Sequence, residues 1–238
     1  MNREFLEFAR GSALRATSSP GRVGHLVLTQ TTATSERKLR EPELRHALAQ
    51  EAEARSLLYG VEVPTFHTYR FVKAPGDKQR AARTDFALLQ AGMPDYSSAV
   101  LVELKEGQPG RGTTDMLDCP AIRKDFEKLL REPATFGKAI IHICHAWDGG
   151  TIPGVLEKYN MALREAVLRV PTKSDPEPWT KDKCWFELLV LVLHRRGKDG
   201  SSMPCLQHQS FTGLDAADCR VTQGPTAFDL GGLEDLPL

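Results

Sequence analysis

Two stretches near the middle of the chain are almost wholly apolar, yet each carries charge. Arg83 to Leu89 is an apolar run holding one acid, Asp85. Ser98 to Glu106 opens on Ala99, Val100, Leu101 and Val102 and then alternates Glu103, Leu104 and Lys105. The intervening Gly92 and Pro94 are turn residues, so the pair predicts a hairpin. Period-two alternation puts Glu103 and Lys105 on one face of their strand and Val102 and Leu104 on the other.

The flanking segments follow the same logic. Pro42 to Gly60 predicts a helix opened by Pro and closed by Gly, with the apolar stripe Leu44, Ala47, Leu48 and Leu58. Val61 to Val72, rich in aromatic and β-branched residues, predicts a first strand. Pro120 to Glu132 predicts a second helix with the face Ile122, Phe126 and Leu129, Lys138 to Trp147 a fourth strand, and Ile152 to about Arg169 an amphipathic helix. Beyond a Pro-rich connector from Pro171 to Pro178 lies the strongest apolar run, Cys184 to His194, which predicts an extra strand over about residues 183–195 and is too short to span a membrane. The first forty residues predict a short helix around Phe5 to Ala9 and a strand from His25 to Thr31. The acidic, turn-rich residues from Ala216 onward, in an arm of about 213–238, predict a fraying or surface-packed segment.

At 238 residues and 41% apolar content the chain can bury one sizeable mixed α/β core, a single domain with additions at both ends of a core of about residues 42–170. The five cysteines show no CxxC spacing and suit reduced thiols of a cytoplasmic protein. The acids Glu4 and Glu7 interrupt any signal-like apolar region at the N-terminus.

The chemistry is in the charges among the apolar strands. A desolvated carboxylate is costly unless paired, hydrogen-bonded or metal-bound, and two brought together by a hairpin repel unless a cation lies between them. Asp85 and Glu103 therefore suggest a hard divalent ion such as Mg2+ or Mn2+, which is held by few protein carboxylates and keeps waters and substrate phosphate oxygens as its other ligands. Lys105 points at the same sphere, where an ammonium could position a water or offset charge on a phosphate. A Glu-x-Lys triplet is cheap in a chain with 26% charged residues, and Glu36-Arg37-Lys38 is another in a wholly polar segment. What distinguishes the Glu103 triplet is its apolar strand and the acid on the strand before.

Asp85 followed by Glu103-Leu104-Lys105 at the end of an apolar strand resembles the PD-(D/E)xK, or restriction-endonuclease-like, nuclease superfamily. Arg83-Thr84 stands where the motif's Pro would be. The resemblance implies a core of helix, three strands, helix and strand, a mixed central sheet flanked by helices, and a metal-dependent nuclease acting on DNA before other substrates. It further implies Asp85, Glu103 and the Leu104 carbonyl as metal ligands and Lys105 as the group that polarises the attacking water. Because the superfamily often places an acid on its first core helix, it also implies a role for Glu51 as outer ligand or water acceptor. At ~100° per residue Glu51 falls within ~20° of Leu44, inside the apolar stripe, so a Glu51–Arg55 pair is the structural alternative.

Basic residues supply a further expectation. Lys73, Lys78, Arg80 and Arg83 lead into Asp85, and Lys124 and Lys128 lie on the second helix, all suited to a nucleic-acid backbone. Arg123 and Arg131 extend the second cluster, and Asp125 reads as a capping or structural acid. His142 and Cys144 share a strand face while His145 points away, so these three read as core residues and not as a metal site. A net charge of zero argues against strong nucleic-acid binding overall, but local field decides binding, and positive charge concentrates near the proposed site. Two rivals remain: a nuclease-fold module that binds nucleic acid or a protein partner without turnover, and an ordinary α/β domain whose salt bridges imitate the motif. A homodimer or larger complex is left open.

Overall fold

The computed structural model describes residues 3–18, 41–69, 80–89, 99–107, 119–132, 137–144, 151–169, 185–192, 205–212 and 220–229. In chain order they form α1 (Arg3–Ser18), α2 (Glu41–Ala54), β1 (Leu58–Tyr69), β2 (Arg80–Leu89), β3 (Val100–Gly107), α3 (Cys119–Arg131), β4 (Gly137–Cys144), α4 (Thr151–Arg169), β5 (Trp185–Val192), β6 (Cys205–Thr212) and β7 (Arg220–Asp229). The strands make one seven-stranded sheet in sequential order. Strands β1 to β3 and β5 to β7 pair antiparallel, while β3, β4 and β5 pair parallel. Parallel neighbours need long crossovers, and α3 and α4 lie in those two connections. Both edge strands carry a proline, Pro64 in β1 and Pro225 in β7, where a missing N–H costs least.

Side-chain alternation builds three layers. Val102 and Leu104 of β3 turn to one face with Phe86, Leu88, Ala139, Ile141 and Ile143, and α1 and α2 cover them with Phe5, Phe8, Leu44 and Leu48. Phe86 is fully buried, with the ring of Phe8 6.3 Å away and that of Tyr59 stacked at 5.5 Å. The opposite face presents Glu103, Lys105 and His142 to α3 and α4. There the Tyr159 ring lies edge-on to Phe126 at 6.1 Å, and its hydroxyl is 2.8 Å from His142 Nδ1. The fold is a mixed α/β sheet with helices on both faces.

Four elements depart from the expectation, one of them β6, for which the sequence pattern predicts no strand. Helix α2 stops at Ala54 instead of running to Gly60, because Leu57 N–H donates to Ala52 C=O and Ser56 N–H to Glu53 C=O, a Schellman cap with Ser56 left-handed at φ 54°. A Ser, not a Gly, takes the left-handed position, so the sequence signal for the helix end was misleading; Leu58 starts β1 and is 51% exposed instead of lying in the helix stripe. Helix α1 continues past Ala9 to Ser18, extending its buried face through Ala13, Leu14 and Ala16, with the Ser12 hydroxyl donating to Phe8 C=O. Part of the acidic arm is strand β7, paired with β6. Gln223, Gly224 and Pro225 give it a weak intrinsic strand pattern, and a ladder supplied by a neighbour overrides such local preference. The expected strand from His25 to Thr31 lies outside the described residues. Among the described residues no helix is long and apolar enough to cross a membrane.

Candidate active site

The cluster forms where β3 leaves the core. Phe86 pairs with Val102, so Asp85 and Glu103 stand one step further along the same antiparallel pair. Asp85 Oδ2 accepts the Leu104 N–H at 2.9 Å, which ties the acid of β2 to the backbone of the Glu-Leu-Lys triplet. Its other oxygen, Oδ1, is 3.1 Å from Arg45 Nη2 on α2. Each carboxylate oxygen has about two acceptor positions, so both retain capacity for a further partner.

Glu103 is buried, and its Oε1 lies 2.6 Å from the ammonium of Lys128 on α3. Burial pushes the Glu103 carboxyl well above the usual carboxylate range; Lys128 opposes this, while Asp125 and Asp85 add to it. Lys128 also donates to the Arg83 C=O at 2.8 Å, and its ammonium lies 3.9 Å from Asp125 Oδ1. Lys105 pairs with Asp125 Oδ2 at 2.8 Å. Burial works against the Lys105 charge, but Asp125 first, then Glu41 and Glu103, outweigh it and raise its pKa above the ordinary lysine value.

The N-terminus of α2 closes the cluster. Glu41 N–H donates to Glu106 Oε2 at 2.9 Å, so an acid at the end of β3 caps a free amide of the helix. The Glu41 carboxyl is raised to about 7, chiefly by burial, with Asp85 and Glu106 adding and Lys105 opposing. Like charges that raise one another's proton affinity are close neighbours in a poorly screened place. Together, Glu41, Asp85, Glu103, Glu106 and Asp125 face Arg45, Lys105 and Lys128, five carboxyl groups to three cations among the described residues, and the raised proton affinity of Glu41 and Glu103 makes up part of the difference. A divalent cation would take the place of those protons. Among the described residues no three His, Cys, Asp or Glu side chains are gathered at metal-ligand spacing; in this conformation the three cations stand among the acids.

The expected site residues divide clearly. Asp85, Glu103, Leu104 and Lys105 come together. Glu51 does not join them: it sits about 15 Å along α2 from Glu41, 8% exposed, between Arg15 Nε at 2.5 Å and Arg55 Nε at 2.6 Å. Its carboxylate lies over Gly11 of α1, where a Cβ would collide with it, so Glu51 joins α1 to α2. The acid of the first core helix at the cluster is Glu41, at the opposite end of that helix. Lys128 is also corrected, since its amine is buried against Glu103 and is not a surface contact for a nucleic-acid backbone. Arg123 pairs with Glu165 at 2.9 Å and Glu127 at 3.3 Å, which leaves Lys124 as the exposed lysine of that helix. Asp125 is no cap but the partner of Lys105. Arg83 is exposed and pairs with Glu62, whereas Lys73 and Lys78, the Arg80 side chain, His145 and the Glu36 triplet lie outside what the structure describes.

Sequence reasoning missed Glu41 and Arg45. Their signal was present: an acid directly before Pro42 marks a helix start, and Arg45 follows it by one turn on the same side. Comparison with protein-family models and with curated proteins returns no match for this chain, so what the cluster does is read from its own residues.

Proposed function

We propose that this chain is a metal-dependent nuclease that hydrolyses phosphodiester bonds, with DNA as the first expected substrate. Its restriction-endonuclease-like core would be α2, β1, β2, β3, α3 and β4. The observation that carries this reading is the excess of acid at the end of β3, with Asp85, Glu103 and Lys105 within it. Five carboxyl groups around three cations, with Glu103 fully buried and the others half-buried, are not gathered for stability, since desolvated charge is a net cost unless fully paired.

Asp85 and Glu103, with the Leu104 carbonyl by family resemblance, would hold a Mg2+ or Mn2+ ion. Bound there, the ion would act as a Lewis acid toward the phosphate and make a bound water more acidic. The remaining roles belong to the protein. Lys105, with its raised pKa, stays an ammonium at neutral pH, so it donates a hydrogen bond and offsets charge on the phosphate but does not abstract a proton. Glu41, with a pKa of about 7, is matched to accept the proton of an attacking water near neutral pH, the role first expected of Glu51. Arg45 and Lys128 keep Asp85 and Glu103 in place against their repulsion.

A second reading draws on a specific observation. Asp85, Glu103 and Asp125 each have a cation within 3.1 Å, so the cluster can persist without metal as a binding module that performs no turnover. Cleavage of plasmid DNA, single-stranded DNA and RNA with Mg2+, Mn2+ or EDTA separates the two. The nuclease reading expects metal-dependent cutting that is lost in Asp85→Ala and in Lys105→Ala. Intact substrate, together with no metal-induced rise in melting temperature, would leave the binding module.

A further inference from the structure

Beside the acids, one carboxylate is held by two arginines from different elements. Glu62 Oε1 accepts from Arg45 Nη1 of α2 at 2.8 Å, and Oε2 accepts from Arg83 Nη1 of β2 at 2.9 Å. Val61 pairs with Phe86 and Val63 with Thr84, so Glu62 stands across the β1–β2 ladder from Asp85. Opposed acids on neighbouring strands repel, and Arg45 spans them, its Nη2 on Asp85. Glu62 does this from a left-handed backbone, φ 50°, a conformation a non-glycine residue rarely adopts and one that costs energy. Burial does not compel it, because the Glu62 side chain is 46% exposed. Arg45 Nε, by contrast, is buried with no acceptor among the described residues.

We propose that Arg45 and Arg83 form a subsite for a backbone phosphate of nucleic acid, next to the bond that is cut, and that the Glu62 carboxylate occupies it until the polyanion displaces it. The placement beside the cut bond rests on the nuclease reading. A phosphodiester carries one negative charge and two free oxygens, the features by which paired guanidiniums grip a carboxylate. It also offers further oxygens, toward which the unsatisfied Arg45 Nε can turn. Exposed ion pairs are weak, so the exchange is accessible to a polyanion.

The test is equilibrium binding of a fluorescein-labelled 20-mer, duplex and single-stranded, in EDTA, to wild type, Glu62→Gln, Glu62→Asn, Glu62→Gln with Arg83→Ala, and the distant exposed control Glu53→Gln. Asn tolerates the left-handed backbone, so agreement between the two Glu62 variants excludes a backbone effect. The expected result is binding about three- to tenfold tighter in both Glu62 variants, a salt dependence steeper by about one in slope, no change in Glu53→Gln and loss of the gain in the double variant. Unchanged or weaker binding in Glu62→Gln, a gain that survives Arg83→Ala, or no binding by any variant would overturn the subsite. A wild type that binds the 20-mer yet cuts nothing with Mn2+ would sink the nuclease reading and leave the subsite standing.

Discussion

The two ends of helix α2 hold acids under opposite conditions. At its C-terminal end Glu51 is shared by Arg15 and Arg55, two cations to one carboxylate, and it joins two helices. At its N-terminal end Glu41 faces Asp85 and Glu106 as well as Lys105, and its carboxyl is pushed up to about 7. Glu51 is buried and Glu41 half-buried, yet it is the half-buried acid whose proton affinity is raised, so burial alone does not separate structure from chemistry. The balance of partners does: a saturated acid has finished its work in the fold, whereas a group of acids short of cations has room for one more.

The contrast can be broken by substitution. Lys128→Met should have the largest effect, because it leaves Glu103 buried without its cation; denaturant unfolding of the metal-free protein should show a loss of about 3–5 kcal/mol. Added Mg2+ should restore part of that loss if the ion takes up the freed charge, and equal loss with and without Mg2+ would count against a metal beside Glu103. Asp85→Asn comes next, with DNA cutting reduced at least about 100-fold while the melting temperature changes little. Glu51→Gln should do the reverse, costing about 2 kcal/mol of stability through its two charged hydrogen bonds and leaving cutting within about twofold of wild type. A cutting defect as deep as that of Asp85→Asn would return Glu51 to the site.

Acidity sharpens the same contrast more gently. The folded form holds the Glu41 proton up to about pH 7, while the unfolded chain releases it near the ordinary value of 4.5. The contribution of Glu41 to stability is therefore fully present below pH 4.5 and declines as pH rises toward 7. Unfolding of the metal-free protein measured across that window should show the decline, and Glu41→Gln should flatten it. An unchanged profile in the variant would mean that the Glu41 carboxyl is not held protonated by the cluster.

Much of this was legible in the sequence. The apolar strand before Glu103, the single acid in Arg83 to Leu89 and the turn between them placed Asp85 and the triplet on adjacent strands, and the hydrophobic period placed the helices. What stayed hidden depends on contacts that no local pattern encodes. Glu51 occupies the apolar stripe of α2 as a ligand might, yet its partners Arg15 and Arg55 and the bare Gly11 became visible only when α1 packed on α2. Glu41 stands just before the predicted helix start at Pro42, and only the end of β3, which caps the same turn, brings it to the cluster. Lys128 looked like surface charge because it lies far from the apolar face of Ile122, Phe126 and Leu129, and only the packing of α3 on the sheet showed that Glu103 and the Arg83 C=O meet it on its other side. Strand β7 exists because β6 offers it a ladder, and nothing in Gln223, Gly224 and Pro225 announces that.

The central claim is that the acid excess at the N-terminal end of α2 and the end of β3 binds a divalent cation. Calorimetric titration of the metal-free protein with Mn2+ tests it most directly, comparing wild type, Asp85→Asn, Glu103→Gln and Glu51→Gln. The account predicts binding in wild type and Glu51→Gln and its loss in Asp85→Asn and Glu103→Gln. No binding by wild type, or equal binding in all four proteins, would contradict it.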